Sequence, residues 1–295
     1  MIAQPHIGQA ESIKRVVRQS DFDRFAALSG DVNPIHVDAE FARRSKFGRT
    51  VAHGMFLYSV VCSVLGTRLP GPGTVQVEQE LMFPSATYAG EEVTVTVQVT
   101  ESRAAEGLVE LTTVVTRPDG NMGLQGRTLV RLPGTALPAP VAIRPPDRPS
   151  DQPGNSSFKG LRVGMRAGTW RAFTAQDLAE YASLSGDTNP IFADAGYARQ
   201  RGLQEPIIPG GLLGGLFSYL LGMRLPGEGT NYLKQRLEFP ALAYQSEELT
   251  AAVEIVRIRP EKQLINLRTE CTNERGALVC QGQALVLVSD LKGKE

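Results

Sequence analysis

The sequence predicts an α+β protein of two tandem units, in each of which an antiparallel sheet wraps around one long apolar helix. Three observations predict this class: an internal duplication, one long apolar stretch in each copy, and alternating β-branched runs that follow the stretch. The chain has 295 residues, which is enough for two domains of ordinary size.

The duplication is visible as a repeat at a constant offset of 156 residues. The segment SGDVNPIHVDA at 29–39 recurs as SGDTNPIFADA at 185–195, and 21–130 aligned with 177–286 without gaps gives 42 identities in 110 positions. We therefore place an N-terminal unit at 1–132, a connector at 133–160 and a C-terminal unit at 161–295. The connector is rich in Pro, Gly and Ser, which suits either an extended strap or a loose tether.

Each copy opens with an amphipathic helix. Ser20 is expected to cap a helix over 21–29, and Thr174 a helix over 175–185, because an aspartate follows each cap by three residues, as in a capping box. Asn33 then caps a second short helix whose first residue is a proline, where a missing N–H costs nothing.

The segment GMFLYSVVCSVLG at 54–66 is apolar on every side, which predicts a helix that is buried all round. Four β-branched segments with period-two alternation follow it, and they predict antiparallel strands: 74–81, 92–100, 108–116 and 126–132. A sheet must curl around such a helix to bury both surfaces, and two units can share one sheet edge to edge. This arrangement is a double hotdog fold.

Composition excludes several classes of protein. Basic and acidic residues balance at 31 each, so nothing favours a nucleic-acid partner. Three scattered cysteines predict neither a disulfide framework nor a metal site. Residues 1–20 lack the apolar core of a secretory signal, and the apolar stretches are too short to span a bilayer. We expect a cytoplasmic protein without a membrane partner.

The turn from Ser29 to His36 carries the most chemistry. Gly30 and the Asn-Pro pair break the chain between two helices, which places Asp31 in a defined turn and His36 in the first helical turn that follows. A helix N-terminus disfavours an imidazolium, so a neutral His36 and Asp31 could hold one water and move its proton. Alternatively, Asp31 only caps a helix, since the second copy keeps this aspartate although Phe192 replaces His36.

These residues resemble the MaoC-like, or (R)-specific, enoyl-CoA hydratases. The resemblance rests on FAALSGDVNPIHVDAEFA (25–42), AHGMFLYSVV (52–61) and LPGPG (69–73), and the second copy departs from it at Phe192 and Pro209. It implies a hotdog fold and a hydro-lyase of fatty acid metabolism that adds water to trans-2-enoyl-CoA without a cofactor. It also implies that Asp31 and His36 are catalytic, supported by Ser29 and Asn33, in the first unit only.

The same resemblance implies that the Gly54 N–H binds the thioester oxygen. Gly54 opens the buried apolar helix, so its amide is one of the unpaired donors at a helix start and is backed by the helix dipole. Alternatively, glycine is needed there only for close packing, since Gly210 occupies the equivalent position. His53 is interpreted as a structural residue and left out of the catalytic set.

A coenzyme A substrate implies local positive charge. The densest basic window contains Arg43, Arg44, Lys46 and Arg49. These side chains could contact nucleotide phosphates, or they could be favourable cations at a helix C-terminus. We also expect the second unit to complete the acyl tunnel through Leu213 or Leu216.

The sequence is compatible with several functions. The leading one is an (R)-specific hydratase for straight-chain enoyl-CoA. The alternatives are a branched or dicarboxylic substrate such as mesaconyl-CoA, an acyl-carrier-protein thioester, and a non-catalytic acyl-CoA binding protein. The chain could also form a homodimer.

Overall fold

The computed structural model describes residues 5–137 and 157–289. The first unit contains five strands and four helices: β1 (Ala10–Val16), β2 (Val75–Met82), β3 (Glu92–Arg103), β4 (Leu108–Thr116), β5 (Met122–Arg131), α1 (Gln19–Ser29), α2 (Pro34–Val37), α3 (Ala39–Arg44) and α4 (Gly54–Thr67). The second unit contains a short hairpin and a set that matches except that a 3-10 turn at Pro190–Phe192 replaces the counterpart of α2. Its elements are β6 (Ser157–Phe158), β7 (Leu161–Arg162), β8 (Arg166–Ala172), β9 (Asn231–Glu238), β10 (Glu248–Arg259), β11 (Leu264–Asn273), β12 (Leu278–Leu287), α5 (Ala175–Ser185), α6 (Ala195–Gln200) and α7 (Gly210–Tyr219).

Apart from the hairpin, the described strands form one ten-stranded antiparallel sheet in the order β1-β3-β4-β5-β2-β9-β12-β11-β10-β8. The units meet where β2 pairs with β9, and Glu80 lies opposite its own repeat equivalent, Arg236. Arg24 of α1 likewise binds its equivalent Glu180 of α5, at 2.6 Å. Equivalent residues that face one another mark a pseudo-twofold axis between the units. The predicted edge-to-edge sheet is confirmed.

The two apolar helices lie inside the curved sheet and pack against each other. Every residue of α4 from Met55 to Gly66 is buried, as the absence of a polar stripe predicts. In the second unit α7 is also buried, and the chain continues beyond it as one π-helical stretch over Leu220–Arg224. The predicted helix and the four predicted strands of the first unit are confirmed.

Two details of the sequence prediction are wrong or incomplete. The first helix begins at Gln19, and Ser20 is not its cap: the Asp21 carboxylate accepts a hydrogen bond from the Arg18 N–H at 2.8 Å instead. Thr174 caps α5 with the expected capping box. Most of the connector, 138–156, lies outside the described residues, and its last part enters the β6–β7 hairpin.

Within 5–137 and 157–289, no helix is both long enough and apolar enough to cross a lipid bilayer.

Candidate active site

The turn between α1 and α2 is held by short-range hydrogen bonds. Gly30 ends α1 with a φ of 86°, a left-handed conformation that glycine adopts without strain. The Ser29 hydroxyl donates to the Phe25 carbonyl at 2.7 Å and accepts from the Asp31 N–H at 3.1 Å. The Asn33 side chain accepts from the Ile35 N–H at 3.3 Å and so caps α2. Ser29 and Asn33 therefore fix the backbone on either side of Asp31.

Asp31 is a buried carboxylate with partners from both units. Its Oδ1 accepts the Asn33 N–H at 3.4 Å, and its Oδ2 accepts the hydroxyl of Ser218, a residue of α7, at 2.6 Å. Burial raises the pKa of Asp31, while His36 and Ser218 oppose the rise by favouring the charged form. The carboxylate is thus desolvated yet directly hydrogen-bonded.

His36 is oriented by the backbone carbonyl of Val51. The two atoms His36 Nδ1 and Val51 O are 2.7 Å apart, and because a carbonyl only accepts, Nδ1 carries the proton and Nε2 keeps its lone pair. Burial lowers the pKa of His36, and the neighbouring Asp31 charge acts in the opposite direction. The ring is therefore predominantly neutral because it is desolvated, and not because of the helix dipole that was predicted as the cause. The helix α2 has only four residues.

His53 lies directly against both of these residues. Its Nε2 donates to the Asp31 carbonyl oxygen at 2.8 Å, and its ring stacks on the His36 ring with centroids 3.7 Å apart and planes inclined by 29°. Burial, followed by the proximity of His36, lowers the pKa of His53 well below its usual value, so it is a neutral support. His53 was left out of the catalytic set, and it is not among the residues that line the cavity, but it contacts both Asp31 and His36.

Side-chain atoms of Asp31, His36 and His53 that could ligate a metal lie within 4.8 Å of one another. A metal ligand must point an in-plane lone pair at the ion, and tetrahedral ligands converge on one point. Two imidazoles stacked nearly parallel cannot direct their lone pairs in this way. The donor set does not fit a metal ion.

Asp31 and His36 face a cavity of about 170 Å³ whose wall comes from both units. Gly54 lines it at the start of α4, where its N–H cannot reach an intrahelical acceptor. A Cβ at this position would lie 2.7 Å from the Phe83 ring, so close packing requires glycine here. The second unit contributes Ser218, Leu221 and Tyr232 among other residues.

The equivalent place in the second unit is almost filled. Phe192 occupies the position of His36 and lines a cavity of only about 30 Å³. Gln76 stands where the first site has Tyr232, and its Oε1 lies 2.6 Å from where a Gly210 Cβ would be. The retained Asp187 is fully enclosed, and burial raises its pKa to about 8. This half keeps the turn but has no room for a substrate.

The four basic candidates divide into two pairs. Arg43 and Arg44 both bind Glu40 on the exposed face of α3, at 2.8 and 2.6 Å. Lys46 lies over the ring of Phe47, a residue that lines the cavity. Arg49 stacks over Tyr88 at 4.1 Å and binds Glu91. Only Lys46 and Arg49 are thus associated with rings on or next to the cavity wall.

Several residues that line the cavity were not predicted, although they differ between the two copies. Thr87 lines the active cavity and corresponds to Ala243, and Ser218 corresponds to Cys62. The equivalent residues are thus less polar, and the second cavity is much smaller. The expected part of Leu213 in the acyl tunnel is wrong, because Leu213 lines the small second cavity.

Comparison with known proteins identifies the family. The model of the MaoC like domain matches twice, at residues 3–118 and 161–275. The chain belongs to the MaoC-like family. Two relatives of this MaoC-like protein are an (R)-specific enoyl-CoA hydratase of Aeromonas caviae, 39% identical over 44% of this chain and 97% of the relative, and a 3-hydroxybutyryl-CoA dehydratase of Methylorubrum extorquens, 37% identical over 47% and 87%.

Solved structures agree over the whole MaoC-like chain. A MaoC-like dehydratase superposes with a TM-score of 0.76 at 19% identity, covering 96% of this chain and 98% of that one. A conserved hypothetical protein from Mycobacterium tuberculosis, described as a double hotdogfold, superposes with a TM-score of 0.71 at 15% identity over 96% and 97%. The double hotdog prediction is confirmed, and the chain is a hydro-lyase of the MaoC-like hydratase and dehydratase family.

Proposed function

We propose that this protein is an (R)-specific enoyl-CoA hydratase that reversibly adds water in the syn sense to a trans-2-enoyl-CoA and forms an (R)-3-hydroxyacyl-CoA. The observation that carries the proposal is the placement of Asp31, His36 and the Gly54 amide around one cavity. Two proton-transfer groups and one oxyanion donor are what addition to a conjugated thioester requires.

Asp31 and His36 would act as a pair on one water molecule. Their side-chain ligand atoms lie within 4.8 Å, a separation that one water bridges with two ordinary hydrogen bonds. As the water oxygen bonds to C3, the pair takes one of its protons and then returns a proton to C2, so both groups end as they began. Delivery from one side of the substrate gives syn addition. The two groups are coupled, and the pair as a whole carries the proton.

Gly54 would stabilise the intermediate. Attack at C3 moves electrons to the thioester oxygen, and a preorganised N–H at a helix start meets that charge. One such donor is typically worth about 10²–10³ in rate.

The cavity favours a short uncharged acyl chain. Its volume of about 170 Å³ is small for a ligand pocket, which suits a short acyl chain beside the attacking water. Among the described residues that line it there is no lysine or arginine, so nothing there would neutralise the second carboxylate of mesaconyl-CoA. The name of the Methylorubrum relative points to a short chain of four carbons.

Lys46 and Arg49 would contact the phosphates of coenzyme A. They are the two basic candidates that lie against Phe47 and Tyr88, at the cavity wall or next to it.

The test is a hydration assay that follows loss of the enoyl absorbance with crotonyl-, octenoyl- and mesaconyl-CoA, and with crotonyl-acyl carrier protein. We expect the highest kcat/KM for crotonyl-CoA and an (R)-configured product. An (S) product, or binding of crotonyl-CoA without turnover, would contradict the proposal. A preference for octenoyl-CoA, mesaconyl-CoA or the carrier-protein thioester would correct the substrate class and leave the reaction type unchanged.

A further inference from the structure

Three contacts join the Asp31 turn to the second unit. The Ser218 hydroxyl donates to Asp31 Oδ2 at 2.6 Å, and both residues are buried. One helical turn later, the Gly222 carbonyl accepts a hydrogen bond from the Asn33 side chain at 3.2 Å. A Cβ on Gly222 would lie 2.8 Å from Asp31 Oδ1, so only glycine allows the carboxylate this close. The second unit thus contacts the Asp31 turn closely through Ser218 and Gly222.

The pseudo-twofold repeat supplies an internal comparison. Cys62 of α4 is the equivalent of Ser218, and Asp187 of the second unit is the equivalent of Asp31. Burial raises the pKa of the Cys62 thiol and the Asp187 carboxylate adds to the rise, as expected for neighbouring side chains. A thiol is a weak hydrogen-bond donor, whereas a hydroxyl is a strong one. The strong donor, Ser218, is therefore the one that faces Asp31, the aspartate that lines the cavity of about 170 Å³.

We infer that Ser218 is a positioning residue, by which the second unit orients the Asp31 carboxylate of the first and completes the active site across the unit boundary. With Oδ2 held by Ser218 and Oδ1 close to the Asn33 N–H, the carboxylate plane is fixed before water binds. The second unit is then part of the reaction centre as well as a wall of the cavity.

The inference has a consequence for pH dependence. Among the described residues, the groups that face Asp31 are the hydroxyl of Ser218, the rings of His36 and His53, the Asn33 N–H and the phenol of Tyr232, on which the Asp31 charge acts. Removing a donor from a carboxylate favours its protonated form, so loss of Ser218 should move the acidic limb of kcat/KM to higher pH.

The experiment measures kcat/KM against pH for crotonyl-CoA hydration, and it rests on the proposed function. We expect Ser218→Ala to move the acidic limb up by about one pH unit, with roughly ten-fold lower activity on the acidic side and a smaller loss at alkaline pH. Ser218→Thr, which keeps the hydroxyl, should keep the wild-type limb. Cys62→Ser is the matched control at the equivalent position, and it should change nothing.

An unchanged acidic limb in Ser218→Ala would overturn the inference. It would also be overturned if Ser218→Ala and Ser218→Thr both lost the same fraction of kcat/KM at every pH. If Ser218→Ala does not fold, Ser218→Cys can replace it, because a cysteine occupies the equivalent position 62. Its acidic limb of kcat/KM should move to higher pH in the same way. Absence of hydration in the wild-type protein would instead contradict the proposed function.

Discussion

Asp187 should destabilise the folded protein at neutral pH, and Asp187→Asn should remove that effect. Burial raises the pKa of Asp187 from an ordinary 3.8 to about 8. Between about pH 4 and pH 8 the folded state keeps a proton that the unfolded chain has released, so stability falls as pH rises through this window and is level above it. Asparagine mimics the protonated carboxyl and carries no titratable proton.

The magnitude follows from the same shift. One pKa unit corresponds to about 1.4 kcal/mol, so the free energy of unfolding at pH 7 could rise by at most about 4 kcal/mol in Asp187→Asn. The asparagine amide brings a second N–H that needs an acceptor, and a buried donor without one costs about 1–3 kcal/mol. We expect a net gain of about 2 kcal/mol, or about 5 °C in Tm.

The assay is equilibrium denaturation of the wild-type protein and Asp187→Asn at pH 5, 7 and 9, with crotonyl-CoA hydration measured in parallel. The difference should widen from pH 5 to pH 9, and turnover should be unchanged. Asp31→Asn is the matched variant, in which the gain should be smaller because Ser218 and His36 already favour the charged carboxylate. A stability difference that is zero, or equal at all three pH values, would refute the reasoning.

Three further predictions concern the two cavities. His53→Phe keeps an aromatic ring against His36 but removes the donor to the Asp31 carbonyl, so kcat should fall about ten- to a hundred-fold with little change in KM, and an unchanged kcat would show that the bond is dispensable. Gly54→Ala keeps the N–H but places a Cβ 2.7 Å from the Phe83 ring, so the crowded helix start should shift and kcat/KM should fall about a hundred-fold. Phe83→Leu should restore activity in the double variant, and wild-type activity in the single variant would contradict the role given to this N–H. Phe192→His should not rescue His36→Ala, since the second cavity has about 30 Å³, and hydration by that double variant would contradict the assignment.

The fold could be predicted from the sequence because several independent sequence features indicate the same architecture. A 156-residue repeat, an apolar helix and alternating strands all point to the same architecture. The edge strands β1 and β8 were not predicted, because AESIKRV and RAGTWRA are only partly buried and their pairing with β3 and β10 supplies most of their order. The cap of α1 was misplaced because Asp23 follows Ser20 by three residues, as in a capping box, whereas the structure pairs Asp21 with the Arg18 N–H.

Only part of the candidate site could be predicted from the sequence. Asp31 and His36 share one turn, so their proximity follows from local sequence. His53 and Ser218 meet Asp31 only through tertiary packing, over separations of 22 and 187 residues. A signal for His53 did exist, since the second copy replaces both histidines together, by Phe192 and Pro209. Paired loss at two positions is what direct contact between them would produce.

The central claim is that the first unit alone carries the proton-transfer pair. The most direct measurement is the turnover of crotonyl-CoA by Asp31→Asn beside that of Asp187→Asn, the same substitution at equivalent positions of the two units. We predict that Asp31→Asn lowers kcat by about 10³ or more while Asp187→Asn retains it. Comparable turnover in the two variants, or a large loss in Asp187→Asn, would contradict the account.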